Sequence, residues 1–297
     1  MRRPHGTYSI VALDPGTGEL GAAVQSHWFS VGSLCTWVRP GIGAVATQSV
    51  VEPGHGPRAL DRLAGGAAAA TALAGVLAAD ALAAMRQVGV VDAHGSVSVH
   101  TGPDCIPEAG HVVGEHWACQ ANMMARATVP QAMSAAFAAA GGDLAERLMT
   151  ALEGAEAEGG DVRGRQSAAL VVAPAQGEPW QQRMDLRVDD HPDPLGELRR
   201  LLGLQRAYEL AGEADELMGE GRADEAAERY LRASERAPQS DELLFWAGLA
   251  IAQRGDVAAG ADAVRRAAQV HPGWLTLLER LSPELAPAGE AVRRELL

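Results

Sequence analysis

The strand-like segments of this sequence come in blocks, with helical segments lying between the blocks. Up to about Gly54, the short apolar runs TYSIVAL, LGAAVQS and GIGAVATQSV are separated by Gly and Pro turns and predict β-strands. An Ala-rich helical region follows from Pro57 to Gln87. Because strands and helices do not alternate one by one, this order argues against a parallel βαβ sheet and favours layered sheets flanked by helices.

The middle of the chain continues the same pattern. VGVVDAHGSVSVHTG predicts a β-hairpin that turns at residues 93–95, and HWACQANMM predicts a further strand. PQAMSAAFAAA and DLAERLMTALEGAEAEG predict two helices, with Asp143 as the N-cap of the second. The predicted strands QSAALVVAP and RMDLRVDD end this region.

The C-terminal part is a long, charged, helical tail that contains a repeat. Three pairs of residues are each separated by 34 positions, namely Gly221 and Gly255, Ala233 and Ala267, and Pro238 and Pro272. That spacing is the period of tetratricopeptide repeats. Two segments resemble the second helix of successive repeat units, namely GRADEAAERYLRASERAP and GDVAAGADAVRRAAQVHP. An unrelated helical hairpin with chance spacing is the alternative. We therefore divide the chain into residues 1–202 and 203–297.

Composition excludes several classes of function. A formal net charge of -13, without an Arg-rich stripe, argues against nucleic acid as a partner. All 25 basic residues are Arg, so the chain has neither a Schiff-base lysine nor a P-loop lysine. Cys35, Cys105 and Cys119 are widely spaced and odd in number, which indicates buried thiols in a reducing compartment rather than a zinc site or disulfides.

The sequence predicts a cytoplasmic protein that does not enter a membrane. The basic start MRRPH is followed by too few apolar residues before Asp14 for a secretory signal. The longest weakly apolar run, AGGAAAATALAGVLAADALAAM, is mostly Ala and carries Asp80, which is unsuitable for a membrane span.

A family resemblance extends from Thr7 to about Leu202. The segments that carry it are YSIVALDPGTGELGAAVQS, GIGAVATQ, GPRAL, QVGVVDAHG, HTGPDCIPEAGH, QANMM, LAERLMTALE, GGDVRGRQSAALVV and DLRVDDHPDP. Together they resemble the DUF1028 family, which is similar in fold to N-terminal nucleophile hydrolases. The resemblance implies an α+β fold, a four-layer αββα sandwich whose first strand presents its own terminal residue to the cleft. An all-α tetratricopeptide-like tail would follow it.

The resemblance implies that Thr7 is the catalytic nucleophile. A threonine hydroxyl is a weak nucleophile and needs a base within hydrogen-bond reach. The free α-amine of the same residue, with a pKa of about 8, supplies one. Family members usually carry this Thr directly after the initiator Met, whereas here residues 2–6 intervene. Thr7 can use its own amine only if the residues before it are removed.

Side chains on neighbouring strands converge on the first residue in hydrolases of this fold. The resemblance accordingly places Gln25 or Ser26, and Thr47 or Gln48, at a substrate site, although solvated strand ends are the alternative. Arg39 falls where proteasome-like members keep a lysine that lowers the pKa of the nucleophile.

Three further residues are candidates from their strand positions. Asn122 ends a strand, and its amide either donates to an oxyanion or satisfies a turn. Arg165 and Ser167 are two residues apart and face the same way, which suits binding of a substrate carboxylate, with a salt bridge of Arg165 as the alternative.

The segment RVDDHPDP contains four residues of metal-ligand type, Asp189, Asp190, His191 and Asp193. However, Asp193 followed by Pro194 is the pattern of an N-cap and a proline in the first helical turn. We interpret the segment as a turn and helix start, and we expect neither a metal nor a cofactor.

We expect an amide hydrolase of the N-terminal nucleophile kind that acts on a small amide or an acylated amino compound. The main alternative is a catalytically silent αββα domain that binds a metabolite or a protein. A metal-dependent activity at residues 189–193 is a third hypothesis. The helical tail is expected to contact a protein partner or a second copy of the chain.

Overall fold

The computed structural model describes residues 6–297, which form two compact units. The first unit ends at Arg199 and the second is Arg200–Leu297. The boundary predicted from the sequence, after residue 202, lies three residues later. The division lies within one 26-residue helix, Pro194–Gly219.

The first unit contains two antiparallel sheets. Their strands are, in chain order, β1 (Thr7–Leu13), β2 (Leu20–Ser26), β3 (Thr36–Arg39), β4 (Gly43–Ser49), β5 (Arg86–Asp92), β6 (Val97–Thr101), β7 (Gly110–Val113), β8 (Trp117–Asn122), β9 (Ser167–Ala173) and β10 (Met184–Val188). The six-stranded sheet has the order β10-β9-β2-β1-β8-β7, and the four-stranded sheet has the order β3-β4-β5-β6. Thus β1 is a central strand with a hydrogen-bonded neighbour on each side.

The two sheets pack face to face through small and branched apolar side chains. Val11, Leu20 and Val171 of the six-stranded sheet share one buried cluster with Ala44 and Val91 of the other sheet. Every residue of β1 is buried, because its other face is covered as well. A continuous apolar run such as TYSIVAL is typical of a strand buried on both faces.

The first unit also contains helices. They are α1 (Gly32–Cys35), α2 (His55–Ala64), α3 (Ala69–Leu77), α4 (Val129–Ala139), α5 (Leu144–Ala157) and the start of α6 (Pro194–Gly219). Helices α2 and α3 pack on the four-stranded sheet, where Leu60 and Leu73 lie against Val45 and Val90. Helices α4 and α5 contact the six-stranded sheet. The first unit is therefore a mixed α+β structure built on antiparallel sheets.

Two predicted helix starts are confirmed. The Asp143 carboxylate accepts a hydrogen bond from the backbone N–H of Glu146 at 3.0 Å and caps α5. Helix α6 begins at Pro194, directly after Asp193. The helical region predicted from Pro57 to Gln87 is two helices, because the chain turns at residues 65–66 between α2 and α3, and β5 already begins at Arg86.

The second unit is entirely helical in secondary structure. After α6 it contains α7 (Ala223–Arg236), α8 (Asp241–Gln253), α9 (Val257–Val270), α10 (Gly273–Arg280) and α11 (Gly289–Leu296). Gly221 lies between α6 and α7 with φ +75°, and Gly255 lies between α8 and α9 with φ +105°. The 34-residue spacing therefore relates two turns of the same kind.

None of the helices within residues 6–297 is long and apolar enough to cross a membrane.

Candidate active site

Four polar side chains form a row across one end of the six-stranded sheet. Thr7 is directly opposite Asn122 on β8 and Ser26 on β2, and Ser26 is opposite Ser167 on β9. Directly paired residues of an antiparallel sheet project to the same face. Thr7 and Val11 are four residues apart on β1 and therefore face the same way. Because Val11 lies in the core between the sheets, the row faces the four-stranded sheet. All four residues have 0% exposure.

The Thr7 hydroxyl belongs to a short hydrogen-bonded chain. Thr7 Oγ1 donates to Ser26 Oγ at 3.1 Å, and Ser26 Oγ donates to the carbonyl oxygen of Gly6. Arg163 Nη2 donates to the same carbonyl at 2.8 Å. Two donors are therefore directed at the carbonyl of the Gly6–Thr7 peptide bond. Of the segment before Thr7, only Gly6 is described, and residues 1–5 lie outside the described part.

An ion pair with the buried Asp161 carboxylate holds the partly exposed Arg163 in this position. Arg163 donates to Asp161 through Nε at 3.0 Å and through Nη2 at 2.7 Å. The Asp161 carboxylate also accepts the backbone N–H of Arg163 at 2.9 Å and that of His27 at 3.2 Å. Bidentate charge-assisted hydrogen bonds of this kind fix the orientation of a guanidinium group.

A network of side-chain amides supports the site from the opposite sheet. Gln48 Nε2 donates to the Thr7 carbonyl at 3.1 Å and to Gln87 Oε1 at 2.8 Å, and Gln48 Oε1 accepts the Ser9 hydroxyl at 2.7 Å. Asn122 Nδ2 donates to Gln87 Oε1 at 3.2 Å. Asn122 Oδ1 is buried and has no hydrogen-bond partner among residues 6–297. The site thus contains one unused acceptor directly beside Thr7.

The structure brings some predicted residues to Thr7 and leaves others elsewhere. Three of them lie beside Thr7. Ser26 accepts a hydrogen bond from the Thr7 hydroxyl, Gln48 donates to the Thr7 carbonyl, and Asn122 is paired with Thr7 across the sheet. Ser167 lies at the end of the row, but its hydroxyl bonds the carbonyl of Trp28 and the N–H of Val31. It therefore belongs to the row without reaching the Thr7 hydroxyl network.

Gln25 and Thr47 project away from Thr7. Gln25 is opposite Tyr8, whose hydroxyl donates to Glu156 of α5 at 2.7 Å, so Gln25 faces the helical side of its sheet. Its side-chain amide is buried and has no partner within residues 6–297. Thr47 Oγ1 donates to the carbonyl of Glu52 at 3.4 Å.

The two predicted arginines form ion pairs outside the row. Arg39 Nη2 contacts Asp61 at 2.9 Å, and neither side chain is buried. Arg165 contacts Glu156 at 3.5 Å and Asp193 at 3.1 Å, which corresponds to the salt-bridge alternative. The arginine that reaches the Gly6 carbonyl is instead Arg163.

Tyr8 is a neutral hydrogen-bond donor behind the site. Burial raises the pKa of the Tyr8 phenol, and the adjacent Glu156 carboxylate raises it further. The phenol therefore keeps its proton and anchors β1 to α5.

The segment 189–193 holds polar contacts of an ordinary turn. Asp190 accepts a hydrogen bond from Gln166 at 3.1 Å, and the backbone N–H of Asp193 donates to His191 Nδ1 at 3.0 Å. Within the described residues, no group of three or more His, Cys, Asp or Glu side chains has a geometry that holds a metal ion.

Five residues of the site were not predicted from the sequence: Asp161, Arg163, Ser9, Gln87 and Gln120, whose Nε2 donates to Ser9 Oγ at 3.2 Å. A signal for the first two was present in GGDVRGRQS, where Gly159, Gly160 and Gly164 all have positive φ values. Such a density of left-handed glycines indicates a tightly constrained loop.

The sheets and the buried row define a mixed α+β protein with a threonine at the start of a central strand. Residues 7–198 match a family described as a family of unknown function, DUF1028. The chain belongs to DUF1028. A similar solved structure is that of protein SPO2555 from Silicibacter pomeroyi, also of DUF1028, with a TM-score of 0.61 and 30% sequence identity. That similarity covers 66% of this chain and 84% of the other. Among curated proteins, none matches the chain.

Proposed function

We propose that the first unit is an N-terminal nucleophile hydrolase that cleaves a small amide or an acylated amino compound, with Thr7 as the nucleophile. The observation that carries this proposal is the pair of donors, Ser26 Oγ and Arg163 Nη2, on the Gly6 carbonyl. Donors directed at a carbonyl oxygen stabilise the negative charge that develops there during nucleophilic attack. Two sheets packed face to face with helices outside are also what an αββα sandwich requires.

The same contacts suit removal of the residues before Thr7. When Thr7 Oγ1 attacks the Gly6 carbonyl carbon, its proton passes to Ser26 Oγ, and the Ser26 proton passes to the carbonyl oxygen. The resulting five-membered ring is neutral. The C–N bond then breaks, the nitrogen takes the proton from the ring hydroxyl, and an ester of Gly6 on Thr7 remains. Water hydrolyses that ester, which leaves a free α-amine on Thr7.

The free amine is the base that the mature site needs. With a pKa of about 8 it accepts the hydroxyl proton near neutral pH. Asn122 Oδ1, the acceptor without a partner among residues 6–297, is available to the resulting ammonium group. Gln48 keeps the Thr7 carbonyl fixed at 3.1 Å, which holds the residue in place after cleavage.

Burial supports the requirement for cleavage. Thr7, Ser26 and Asn122 are fully buried while Gly6 is attached, so a substrate has no path to the hydroxyl in this state. Loss of residues 1–6 vacates the space that Gly6 fills.

The second unit is proposed to be a tetratricopeptide-like docking element for a protein partner or a second copy of the chain. Support comes from the equivalent turns at Gly221 and Gly255 and from full burial of Ala233 and Ala267, which are also 34 residues apart. The three buried thiols suit a reducing compartment, and we propose the cytoplasm.

The test is the N-terminus of the protein purified from its native cell. Intact mass and terminal sequencing should show Thr7 as the first residue. Thr7→Ala should retain residues 1–6 and abolish hydrolysis, and Thr7→Ser should retain part of both reactions. Thr150→Ala, which removes a hydroxyl bonded within α5, is the control and should be processed normally. Active protein that still carries residues 1–6 would exclude the N-terminal nucleophile mechanism and favour a binding domain.

A further inference from the structure

The surroundings of Gly6 describe the space available to an acyl group on Thr7. The same Thr7 hydroxyl attacks a carbonyl carbon in self-cleavage and in substrate hydrolysis. The ester of Gly6 on Thr7 and the acyl-enzyme formed from a substrate are therefore the same type of compound. The groups that pack against Gly6 consequently show which acyl groups the mature site accommodates.

The space beside the Gly6 α-carbon is closed. A Cβ added there in the L configuration would lie 2.8 Å from Arg163 Nη2, 2.8 Å from Asp161 Oδ2 and 3.0 Å from Met123 Cβ. Heavy-atom contacts of real Cβ atoms are essentially never shorter than 3.0 Å. A methyl group at this position therefore requires the surrounding side chains to move.

Those side chains are held in place. The Asp161 carboxylate is buried and accepts hydrogen bonds from the Arg163 guanidinium and from the backbone N–H groups of Arg163 and His27. Met123 has φ +58°, and its carbonyl accepts the N–H of Val162 at 3.1 Å. Moving the Asp161–Arg163 wall breaks hydrogen bonds of the buried Asp161 carboxylate, and moving Met123 breaks the hydrogen bond from Val162, so both displacements are costly.

We propose that Asp161, Arg163 and Met123 form an acyl-binding site that selects acyl groups without a carbon substituent in the L position of the α-carbon, such as acetyl or N-acylglycyl groups. Ser26 and Arg163 donate to the acyl carbonyl oxygen. This inference rests on the proposed function of Thr7. Thr7 Oγ1 bonds to the acyl carbon, the amide C–N bond breaks, and the leaving nitrogen receives the hydroxyl proton through the Thr7 amine. Water then releases a carboxylic acid and restores the hydroxyl.

The selectivity is measured on the full chain produced with Thr7 directly after the initiator Met, with the free Thr7 amine verified by mass. The probes are the p-nitrophenyl esters of N-acetylglycine and N-acetyl-L-alanine. The rate of the p-nitrophenolate burst is divided by the rate at which hydroxide cleaves the same ester, and the acylated residue is located by peptide mapping. The glycine ester should acylate Thr7 at least ten-fold faster than the alanine ester on this normalised scale.

The donor role of Arg163 is tested with a matched control. Arg163→Gln should slow acylation by the glycine ester by about 100-fold, the usual effect of losing one oxyanion donor. Arg187 forms the same type of bidentate pair with Asp185, also two residues away in sequence, but lies at the surface. Arg187→Gln should acylate at the rate of the unsubstituted protein.

The possible results are distinguishable. If neither ester labels Thr7, the proposed function fails and the inference fails with it. If both esters label Thr7 at equal normalised rates, the nucleophile stands and the acyl selectivity is refuted. An unchanged rate in Arg163→Gln refutes the donor role.

A second readout uses the chain with residues 1–6 present and no added substrate. Gly6→Ala should slow removal of these residues at least ten-fold, because the methyl group meets the Asp161–Arg163 pair. Gly212→Ala, where a Cβ has nothing within 4 Å, should be processed at the normal rate. Rapid processing of Gly6→Ala would overturn the proposed acyl site.

Discussion

Replacing Ser26 with Ala removes the hydroxyl that connects the Thr7 hydroxyl to the Gly6 carbonyl. Ser26 Oγ accepts from Thr7 Oγ1 at 3.1 Å and donates to the Gly6 carbonyl oxygen. The substitution therefore removes both the first proton acceptor and one of the two donors on the carbonyl. Arg163 Nη2 remains as the second donor at 2.8 Å.

The expected effect is large on processing and moderate on stability. Loss of one oxyanion donor raises an activation barrier by about 3 kcal/mol, or a factor of roughly 100 to 1,000 in rate. Because the buried Ser26 hydroxyl is the group that contacts both the Thr7 hydroxyl and the Gly6 carbonyl, we expect the rate of processing to fall by at least about 100-fold. The buried Thr7 hydroxyl also loses its hydrogen bond to Ser26, which lowers the free energy of unfolding by about 1 kcal/mol.

The assay follows the intact mass of freshly synthesised protein over time and records thermal unfolding of the same samples. Ser134→Ala is the matched control, because Ser134 is a buried serine that accepts a hydrogen bond from Trp117 Nε1 at 3.2 Å, far along the fold from Thr7. It should lose residues 1–6 at the normal rate. Folded Ser26→Ala protein that is processed as fast as the Ser134→Ala control would refute the proposed proton path.

Two further predictions concern buried ionisable groups. Asp80→Asn should lower the free energy of unfolding by about 3–5 kcal/mol in urea titrations, because it leaves the buried Arg86 guanidinium without its carboxylate, whereas Asp61→Asn at an exposed pair should cost less than about 1 kcal/mol. Burial opposes ionisation of Asp80, but hydrogen bonds led by those of Arg86 hold its pKa well below the usual range. Ionised Asp80 stabilises the fold at pH values above about 4, the pKa of an Asp carboxyl in the unfolded chain. The free energy of unfolding should therefore fall as the pH drops below that value, and it should fall less in Asp80→Asn. Burial raises the pKa of the Cys35 thiol to about 12 and also raises that of the other two cysteines. The folded protein should therefore resist iodoacetamide at pH 8 and react at three sites when unfolded; rapid modification of native protein would contradict the packing.

Strands with strong local patterns could be predicted from the sequence, and the two four-residue edge strands could not. The apolar runs TYSIVAL and LGAAVQS correspond residue for residue to β1 and β2, because both strands are buried on both faces and end at Gly or polar turns. The four-residue strands β3 and β7 were missed. Each lies at the edge of its sheet and spans only four partly buried residues, too few to distinguish a strand from a loop, whereas the five-residue edge strands β6 and β10 were predicted.

The candidate site was predictable where it follows from strand pairing. Thr7, Ser26 and Asn122 stand at strand ends, and antiparallel neighbours bring such ends together. The Arg163–Gly6 contact joins residues 157 positions apart and depends on a loop. No local pattern among 25 arginines indicates which one reaches that carbonyl.

Three buried glutamines are a second signal of the site in the sequence. Gln48, Gln87 and Gln120 each lie within a strand that is buried over all or nearly all of its length. A buried amide without partners costs about 1–3 kcal/mol, so three such residues in one core imply a hydrogen-bonded layer that apolar packing alone does not need. In the structure Gln48 donates directly to the Thr7 carbonyl, and Gln87 accepts from both Gln48 and Asn122. The glutamines thus mark the end of the sheet interface where Thr7 lies, and they fix its backbone independently of the residues that precede it.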